Sequence, residues 1–579
     1  MSNSLSLLEF PSPAISGECT VDDRRILLVL PPLWPPLIPP MGLAMLKSHL
    51  RASGFINVRC VDLNCIDSLR MAEKRYIEQL ARWIPKTSRG ILGKLASEVL
   101  QNHLLVWRNS GGSVGMSVPV LREIISLSFY RVPPDELISQ LNEIVGRFFH
   151  TLEDCLSELY ARETPEVLGV SVPGLPTLAA AQAAIGLYKE RCPNGVAVLG
   201  GSIFLTGLAE TPDFDDFRVQ VAADYFVVGD GAADFVNILR GGARQAKVRF
   251  AKPPGFTPGI GSRTTDPDYS DFNLNRYPYI GTEQTISCPF QCGFCNLPRY
   301  LGPFRKRPAA LIAEEMSRLY RRYGSQLIFM ADSLLNPIVT DLAEELLELE
   351  VPLYIDGYLR VQDSLCDRET AEKLRLGGLY RARIGVESGS QRVLDSMDKR
   401  ASVEQASGTV RALASAGIKT TVFIVVGYPG ETEADFRATL EWIREMQNDI
   451  WQLDCSPFTY WYSGQCRDDE WAPLRRPLYS PMAKRLLPLQ SWELDCEPSR
   501  ERVYRRFNDV VELCTQLHIP DPHEIREHYE ADARWGRLHE NAVPRLVDFA
   551  RHKRINECRR TKWLAMASAG GENSDAFRF

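Results

Sequence analysis

Histidine is scarce in this chain of 579 residues, with eight in total and none between His150 and His518. A local Cys/His zinc site in that long middle section therefore lacks its usual partners. Basic residues are not in excess either, since 67 Lys and Arg stand against 73 Asp and Glu and give a net charge of −6. This balance provides no basic face for nucleic acid, and we expect no nucleic-acid partner.

An uninterrupted apolar span is also missing. The most apolar stretch, residues 24–46, contains paired prolines at 31/32, 35/36 and 39/40, which exclude a continuous membrane-crossing helix there. Asp22, Asp23, Arg24 and Arg25 precede its apolar part and no cleavage pattern follows, so we do not interpret it as a secretory signal. We expect a cytoplasmic protein with no membrane partner, and its length predicts two or three domains.

Three of the 14 cysteines stand close together, as Cys288, Cys292 and Cys295 in the run TISCPFQCGFCNL. The C-x3-C-x2-C spacing lets one tight loop direct three thiolates at an iron–sulfur cube, which needs four ligands if the protein alone holds it. The next cysteine is Cys366, so one iron would stay open. Chance spacing, a structural zinc site and disulfides are the alternatives. Zinc usually takes two close pairs of ligands, and scattered cysteines in a long chain are a poor disulfide framework.

This run resembles the cluster loop of the radical S-adenosylmethionine (SAM) enzymes. The resemblance implies a [4Fe–4S] cluster whose open iron is chelated by the amino and carboxylate groups of SAM. It also implies one-electron cleavage of SAM to a 5′-deoxyadenosyl radical, with a reducing protein such as a flavodoxin or ferredoxin as the electron donor. In such chemistry the protein orients the cofactors and excludes side reactions.

Before residue 250, short apolar runs alternate with helical patterns, which predicts a doubly wound, Rossmann-like α/β sheet. We predict an N-terminal tail over 1–23, this domain over 24–250, and a helical insertion within it over 66–163. The predicted strands are Ile26–Leu30, Val58–Leu63, Leu168–Val172, Val196–Leu199 and Asp224–Val228. Glycines after strand ends let the backbone approach a ligand.

The order of the segments PPLWPP, VDLN, GVSV, GGS and VVGDG resembles the cobalamin-binding domain that precedes the catalytic domain in one large radical SAM class. The resemblance implies cobalamin contacts by Ser171, Gly200, Gly201, Ser202, Gly229 and Gly231. The D-x-H-x-x-G motif, whose histidine ligates cobalt in methionine-synthase-type domains, is absent, so cobalamin would bind base-off. Residues 62–71 could cover its lower face through Arg70 or Asn64, although a solvated helix residue is the preferred interpretation of Arg70.

A linker rich in Pro, Gly and Thr, predicted over 251–272, leads to a repeated β–α pattern over 273–465. Its predicted strands are Leu327–Met330, Leu353–Asp356, Arg381–Val386, Thr420–Val426 and Gln452–Phe458. The pattern resembles the partial (β/α)6 barrel of radical SAM enzymes, with the active site at the C-terminal strand ends. It implies SAM contacts by Asp332, Ser333, Arg360, Glu387, Ser388, Gly427 and Pro429. Each of these alone can also be a helix cap or a turn residue.

The C-terminal region, 466–579, is predicted to be mainly helical. Val503, Phe507, Val510 and Cys514 share one helical face, which predicts packing rather than a site. Tyr460, Trp461 and Tyr462 follow the last predicted barrel strand, where they either line a substrate pocket or pack in the core.

Together the resemblances imply a cobalamin-dependent radical SAM C-methyltransferase that consumes two SAM molecules. It would act on an unactivated carbon of a small-molecule or peptide precursor of a natural product. One alternative is a cobalamin-dependent rearrangement or cyclisation without methyl transfer. A second is polar methylation of an aromatic carbon such as indole C2. A third, from a different class, is a non-catalytic cobalamin or cluster sensor.

Overall fold

The fold contains two six-stranded sheets with helices around them. In this computed structural model the described residues are 21–84, 92–206, 214, 217, 220–228, 231–241, 248–250, 265–349, 352–462, 464–487, 492–522, 525–550 and 559. The α/β class predicted from the sequence is confirmed. In these ranges no helix combines the length and the apolar character needed to cross a membrane.

The N-terminal sheet consists of the parallel strands β1 (Ile26–Leu30), β2 (Val58–Asp62), β3 (Val167–Ser171), β4 (Val196–Gly200), β5 (Tyr225–Val228) and β6 (Val248–Phe250). Their order is β2-β1-β3-β4-β5-β6. β1 is buried along its whole length, as expected for an apolar strand with helices on both faces. The chain changes direction between β1 and β3, and ligands of doubly wound sheets bind at the carboxyl ends beside such a point.

The helices of this part are α1 (Met41–Ala52), α2 (Asp67–Trp83), α3 (Leu92–Asn109), α4 (Val114–Phe129), α5 (Asp135–Glu163), α6 (Leu178–Arg191) and α7 (Gly231–Leu239). Helices α2 to α5 lie between β2 and β3, where the sequence predicts a helical insertion. In the insertion, His103 is fully buried, with Tyr76 Oη 3.0 Å from its Nδ1 and Asn142 Oδ1 2.9 Å from its Nε2. Burial lowers the pKa of His103 to about 4, so this histidine is a neutral core residue.

The remaining strands are β7 (Ile280–Thr282), β8 (Thr285–Ile286), β9 (Arg305–Lys306), β10 (Leu327–Met330), β11 (Tyr354–Arg360), β12 (Leu379–Glu387), β13 (Lys419–Val426), β14 (Gln452–Pro457), β15 (Arg475–Pro477) and β16 (Trp492–Leu494). Six of them form a parallel, open barrel sheet in the order β14-β13-β12-β11-β10-β7. The strand β7 was not predicted from the sequence. The pairs β8–β9 and β15–β16 are antiparallel.

The helices of the second half are α8 (Leu297–Leu301), α9 (Ala309–Tyr323), α10 (Asn336–Leu347), α11 (Arg368–Leu376), α12 (Gln391–Ser396), α13 (Val403–Ser415), α14 (Glu433–Glu445), α15 (Asp468–Trp471), α16 (Pro481–Lys484), α17 (Arg500–Gln516), α18 (Ile525–Leu538) and α19 (Leu546–Ala550). The apolar face predicted for the C-terminal region lies on α17 and is buried against the barrel. The same region also contains the hairpin β15–β16, so it is not wholly helical.

The described end of the predicted linker, residues 265–272, is a packed joint between α1 and α9. Lys47 of α1 is fully buried, and its Nζ lies 2.7 Å from Asp271 Oδ2. Asp268 pairs with Arg51 of α1 at 3.0 Å and with Arg322 of α9 at 3.1 Å. Because buried charges are tolerated only when they are paired, this network fixes the position of the first sheet against the barrel.

Candidate active site

The three clustered cysteines lie in the loop that leaves β8 and returns through α8 to β9. Cys292 is buried, whereas Cys288 and Cys295 are partly buried. Asp332, directly after β10, accepts hydrogen bonds on Oδ1 from the amide of residue 284 at 2.8 Å and from the amide of Thr285. In this structure Asp332 therefore fixes the entry of the cysteine loop.

The cysteine thiols are free and lie close to positive charge. Burial raises the pKa of Cys288, and it raises that of Cys295 to about 12. Arg360, the last residue of β11, donates from Nη1 to Cys292 Sγ at 3.2 Å, and its guanidinium lies 3.9 Å from the centre of the Phe290 ring. Its Nη2 is buried and has no hydrogen-bond partner among the described residues. This donor is placed to meet negative charge on a ligand.

These surroundings fit an iron–sulfur cluster better than a single metal ion. In the described ranges, no three His, Cys, Asp or Glu side chains gather as they would around one ion. A cubic cluster binds each cysteine through a different iron atom, so its thiolates stand further apart. A bound metal deprotonates its thiol ligands outright, which overcomes the raised pKa values.

Glu387 ends β12 where the strand register against β13 shifts, and its backbone has a positive φ of 71°. The carboxylate is buried, and its Oε1 accepts a hydrogen bond of 2.7 Å from Lys399 Nζ. Lys399, between α12 and α13, was missed by the sequence reasoning. Its Nζ lies 6.0 Å from the centre of the Phe294 ring, so this ion pair stands beside the cysteine loop. A carboxylate held in this way is fixed in position.

Two other predicted SAM residues have evident packing roles. Ser388 is fully buried, with its Oγ 3.1 Å from Thr439 Oγ1 and accepting from the amide of Ser390 at 3.1 Å. Gly427 has a φ of 80°, and a Cβ there would come within 2.3 Å of Val503 on α17. Ser333 and Pro429 are partly buried at their strand ends. Their contacts with SAM stay predictions.

The predicted cobalamin residues occupy the carboxyl ends of β3 and β4. The amide of Val172 donates to Gly200 O at 2.8 Å, which ties the two strand ends together. Gly201 has a φ of 127°, and a Cβ would come within 2.3 Å of Val172 O, so this position requires glycine. At Gly200 a Cβ would make only an ordinary contact of 3.5 Å. Its bare backbone is therefore not needed for packing.

The other predicted residues of this edge differ in their surroundings. Ser171 is partly buried at the end of β3. Ser202 is exposed and donates from Oγ to Pro173 O at 3.0 Å. Gly231 begins α7, whereas Gly229 lies outside the described residues.

The two halves of the chain meet at this edge. Helix α8, which begins two residues after Cys295, packs against the short 3-10 helix Ser202–Thr206 that follows β4. A side chain at Gly174, after β3, would come within 3.1 Å of the Trp34 ring. The loops after β1, β3 and β4 therefore adjoin one another, and the helix that follows the cysteine loop packs against the segment after β4.

A cavity of about 1890 Å³ lies between the loop after β1, the insertion helices α2 and α3, and the C-terminal helices α17 and α18. Its lining includes Trp34, Asn64 and Arg70 from the first domain, and Lys94 and Glu98 from α3. Asn64 Oδ1 accepts from the amide of Trp34, and its Nδ2 donates to the carbonyl of residue 31 at 3.2 Å, so its side chain is committed to the loop. Arg70 is exposed and stays available toward the cavity.

Two of the three aromatic residues after β14 pack against aromatic residues of later elements, Tyr460 against Trp471 and Tyr462 against Trp492. Tyr460 is buried and donates from Oη to Asp468 at 2.5 Å. The ring of Tyr462 lies 4.8 Å from that of Trp492. Trp461 is 39% exposed.

Residues 283–443 match the model of the Radical SAM superfamily. They are a radical SAM domain. Such a domain uses SAM and a [4Fe–4S] cluster, and these are cofactors of this chain. The match begins five residues before Cys288 and covers β10 to β13, so it includes the cysteine loop and most of the strand ends described above.

The chain is also similar to curated proteins over about half of their length. It is 24% identical to the anaerobic magnesium-protoporphyrin IX monomethyl ester cyclase of Rubrivivax gelatinosus, over 52% of this chain and 57% of that protein. It is 30% identical to the ribosomal protein uS12 methylthiotransferase RimO of Desulforudis audaxviator, over 38% of this chain and 51% of that protein.

Among solved structures, the fold is similar to the radical SAM methyltransferase TsrM of Kitasatospora setae, solved with cobalamin and a [4Fe–4S] cluster bound. The TM-score is 0.58 at 16% identity, and the alignment covers 95% of this chain and 100% of that chain. The likeness in fold includes the N-terminal sheet and the C-terminal helices as well as the barrel.

Proposed function

We propose that this chain is a cobalamin-dependent radical SAM C-methyltransferase that acts on an unactivated carbon of a natural-product or peptide precursor. The observation that carries the proposal is the packing of α8 against Ser202–Thr206, which brings the cysteine loop to the edge where cobalamin is predicted. The likeness in fold to TsrM over nearly the full length of both chains supports it. We also propose a cytoplasmic location and a flavodoxin or ferredoxin as the electron donor.

Cobalamin would lie against the ends of β3 and β4, with Arg70 on its lower side. The open backbone at Gly200, where a Cβ would make only an ordinary contact, fits the close approach of a ligand. When bound, the cluster and SAM supply one-electron chemistry that activates a C–H bond, and cobalamin supplies methyl transfer.

The residues of this chain would then hold and orient these groups. Arg360 places positive charge at 3.2 Å from Cys292 Sγ, where it stabilises thiolate charge. Glu387, held by Lys399, offers a fixed carboxylate that can accept from the ammonium or a ribose hydroxyl of SAM. Because both side chains of this pair are buried, water competes little for such hydrogen bonds.

Polar methylation of an aromatic carbon is the second candidate. It is favoured by a further structure of TsrM, solved with a tryptophan substrate and a SAM analogue, which has a TM-score of 0.57 at 17% identity. The similarity to a magnesium-protoporphyrin cyclase keeps a cyclisation without methyl transfer as a third.

One experiment separates these functions. The full chain is reconstituted anaerobically with iron, sulfide and cobalamin, and incubated with a low-potential reductant, candidate substrates and SAM that carries a deuterated methyl group. Radical methylation gives labelled product with equal amounts of 5′-deoxyadenosine and S-adenosylhomocysteine. Polar methylation gives labelled product with S-adenosylhomocysteine alone, and cyclisation gives unlabelled product with 5′-deoxyadenosine. If SAM is consumed in none of these ways with any candidate, the proposal is wrong.

A further inference from the structure

A fourth cysteine, Cys466, lies against the cysteine loop although it is far from it in sequence. Its amide donates to the carbonyl of Cys295 at 3.0 Å. The two residues beside Cys466 also donate to carbonyls of the loop. Gln465 Nε2 donates to the carbonyl of residue 294 at 3.2 Å, and the amide of Arg467 donates to the carbonyl of residue 293 at 3.3 Å. Residues 465–467 therefore bind three consecutive carbonyls of the loop.

Close packing at two glycines keeps this contact in place. A Cβ at Gly293 would come within 2.7 Å of Tyr428 Oη and 2.9 Å of Arg467 Cδ. A Cβ at Gly464 would come within 2.1 Å of Tyr300 Oη. Because neither site has room for a side chain, the main chain of Cys466 has a defined position beside the loop. Cys466 also lies outside residues 283–443, so the domain match assigns it no role.

The thiol of Cys466 is accessible, whereas Cys60, Cys455 and Cys514 are buried. The contact between the amide of Cys466 and the Cys295 carbonyl places Cys466 beside the last of the three clustered cysteines.

We propose that Cys466 is a fourth cysteine ligand, bound in the absence of SAM to the iron that Cys288, Cys292 and Cys295 leave open. The proposal depends on the cluster of the radical SAM domain and not on methyl transfer. When the amino and carboxylate groups of SAM take that iron, the Fe–S bond to Cys466 breaks. The thiolate leaves with its electron pair and takes a proton from water, and no iron changes its oxidation state.

Mössbauer spectroscopy of the full chain, reconstituted with 57Fe and without SAM, tests the ligand. We expect sulfur coordination at all four irons in the parent and one distinct iron, bound by oxygen or nitrogen, in Cys466→Ala. Alanine keeps the amide that holds the loop, so the iron content should not change. Cys496→Ala is the matched control, because Cys496 is a partly buried free thiol of the same region, beside Asp495 and Glu497. Its spectrum should equal that of the parent.

Alkylation with iodoacetamide, followed by peptide mass spectrometry, tests whether SAM replaces Cys466 on the iron. Cys466 should react roughly tenfold more slowly in the cluster-loaded parent than in cluster-free protein, because a metal-bound thiolate is protected. Added SAM should restore the reactivity. Identical Mössbauer spectra for the parent and Cys466→Ala would overturn the ligand assignment, as would equal alkylation with and without the cluster. Protection that persists when SAM binds would overturn the exchange.

Discussion

Lys399 donates a hydrogen bond of 2.7 Å to Glu387 Oε1, and the two side chains are only 7% and 8% exposed. A buried pair of opposite charges is tolerated when both partners are present, and removal of one partner leaves an uncompensated charge. Lys399 lies beside Phe294 of the cysteine loop, whereas Glu387 ends β12. The pair therefore links the fourth strand end of the barrel to the cluster region.

Replacement of Glu387 by glutamine should weaken SAM binding by about tenfold to a hundredfold, because a charge-assisted hydrogen bond is lost. The amide oxygen can still accept from Lys399, although the lysine charge then lacks its counter-charge, so some stability should be lost while the fold is retained. Equilibrium binding to the cluster-loaded protein measures the effect, with iron and cobalamin content as controls. Equal SAM affinity would mean that Glu387 serves only as the partner of Lys399.

Replacement of Cys288, Cys292 and Cys295 by alanine should abolish the cluster absorbance and the cleavage of SAM. The N-terminal sheet should stay folded, since its core is formed by other residues. Iron analysis and circular dichroism are the measurements. A triple variant that still holds about four irons per chain would show that the cluster lies elsewhere.

Arg360 should raise the reduction potential of the cluster, because its guanidinium donates to Cys292 Sγ at 3.2 Å and stabilises added negative charge. In Arg360→Met we expect a potential lower by about 60 mV, which is a tenfold shift in a one-electron equilibrium. Arg360→Lys keeps the charge, and the reduction potential of its cluster should lie between those of the parent and Arg360→Met. A potentiometric titration followed by EPR gives the values, and equal potentials in all three proteins would contradict this role.

The sequence predicted five strands of each sheet, because strands that are buried on both faces are continuous apolar runs, and it missed the edge strands β6 and β7. Strand boundaries differ by a few residues. The largest difference is β11, predicted as Leu353–Asp356 and observed as Tyr354–Arg360. Asp356 interrupts the apolar run, yet it is fully buried because Arg383 donates to its two oxygens at 2.6 and 2.8 Å.

Sequence patterns do not predict contacts between residues that are far apart in the sequence. Lys399 meets Glu387 only after α12 has turned the chain, and Cys466 meets Cys295 only after the barrel has closed on the loop. The strand β7 has three residues, too few to show a period. The ligand-binding edge of the N-terminal sheet, at the carboxyl ends of β3 and β4, was predicted from its glycines, whereas its packing against α8 was not.

Protonation of His103 should destabilise the insertion. Burial lowers its folded pKa to about 4, whereas the unfolded value is about 6.5. The contribution of His103 to the free energy of unfolding is therefore fully present above pH 6.5. As the pH falls from 6.5 toward 4, the free energy of unfolding decreases by about 1.4 kcal/mol per pH unit.

Urea unfolding between pH 4 and pH 6.5, followed by circular dichroism, measures how the free energy of unfolding changes with pH. His103→Gln should flatten this dependence, and replacement of the exposed His150 should leave it unchanged. An equal slope in the parent and His103→Gln would assign the dependence to other groups.

The full chain should bind cobalamin base-off, with no protein histidine on cobalt. Of the three histidines in this domain, His103 is enclosed in the insertion core and His150 is exposed on α5, with its Nε2 3.7 Å from Asp154. His49 lies in the last turn of α1, at the end of that helix away from the carboxyl edge of β1. EPR of the cobalt(II) form should show no nitrogen superhyperfine splitting from the protein, and a histidine pattern would contradict the assignment.

Arg70 should stand on the lower side of that cobalamin, because it lines the cavity while the side chain of Asn64 is committed to its loop. We expect Arg70→Ala to alter the optical spectrum of bound cobalamin and to weaken its binding by about tenfold, a loss of about 1.4 kcal/mol. Arg75→Ala is the matched control, since Arg75 is an exposed arginine of the same helix that does not line the cavity. If the two variants bind cobalamin equally well and with the same spectrum, Arg70 is a solvated helix residue and the lower face is covered by another part of the chain.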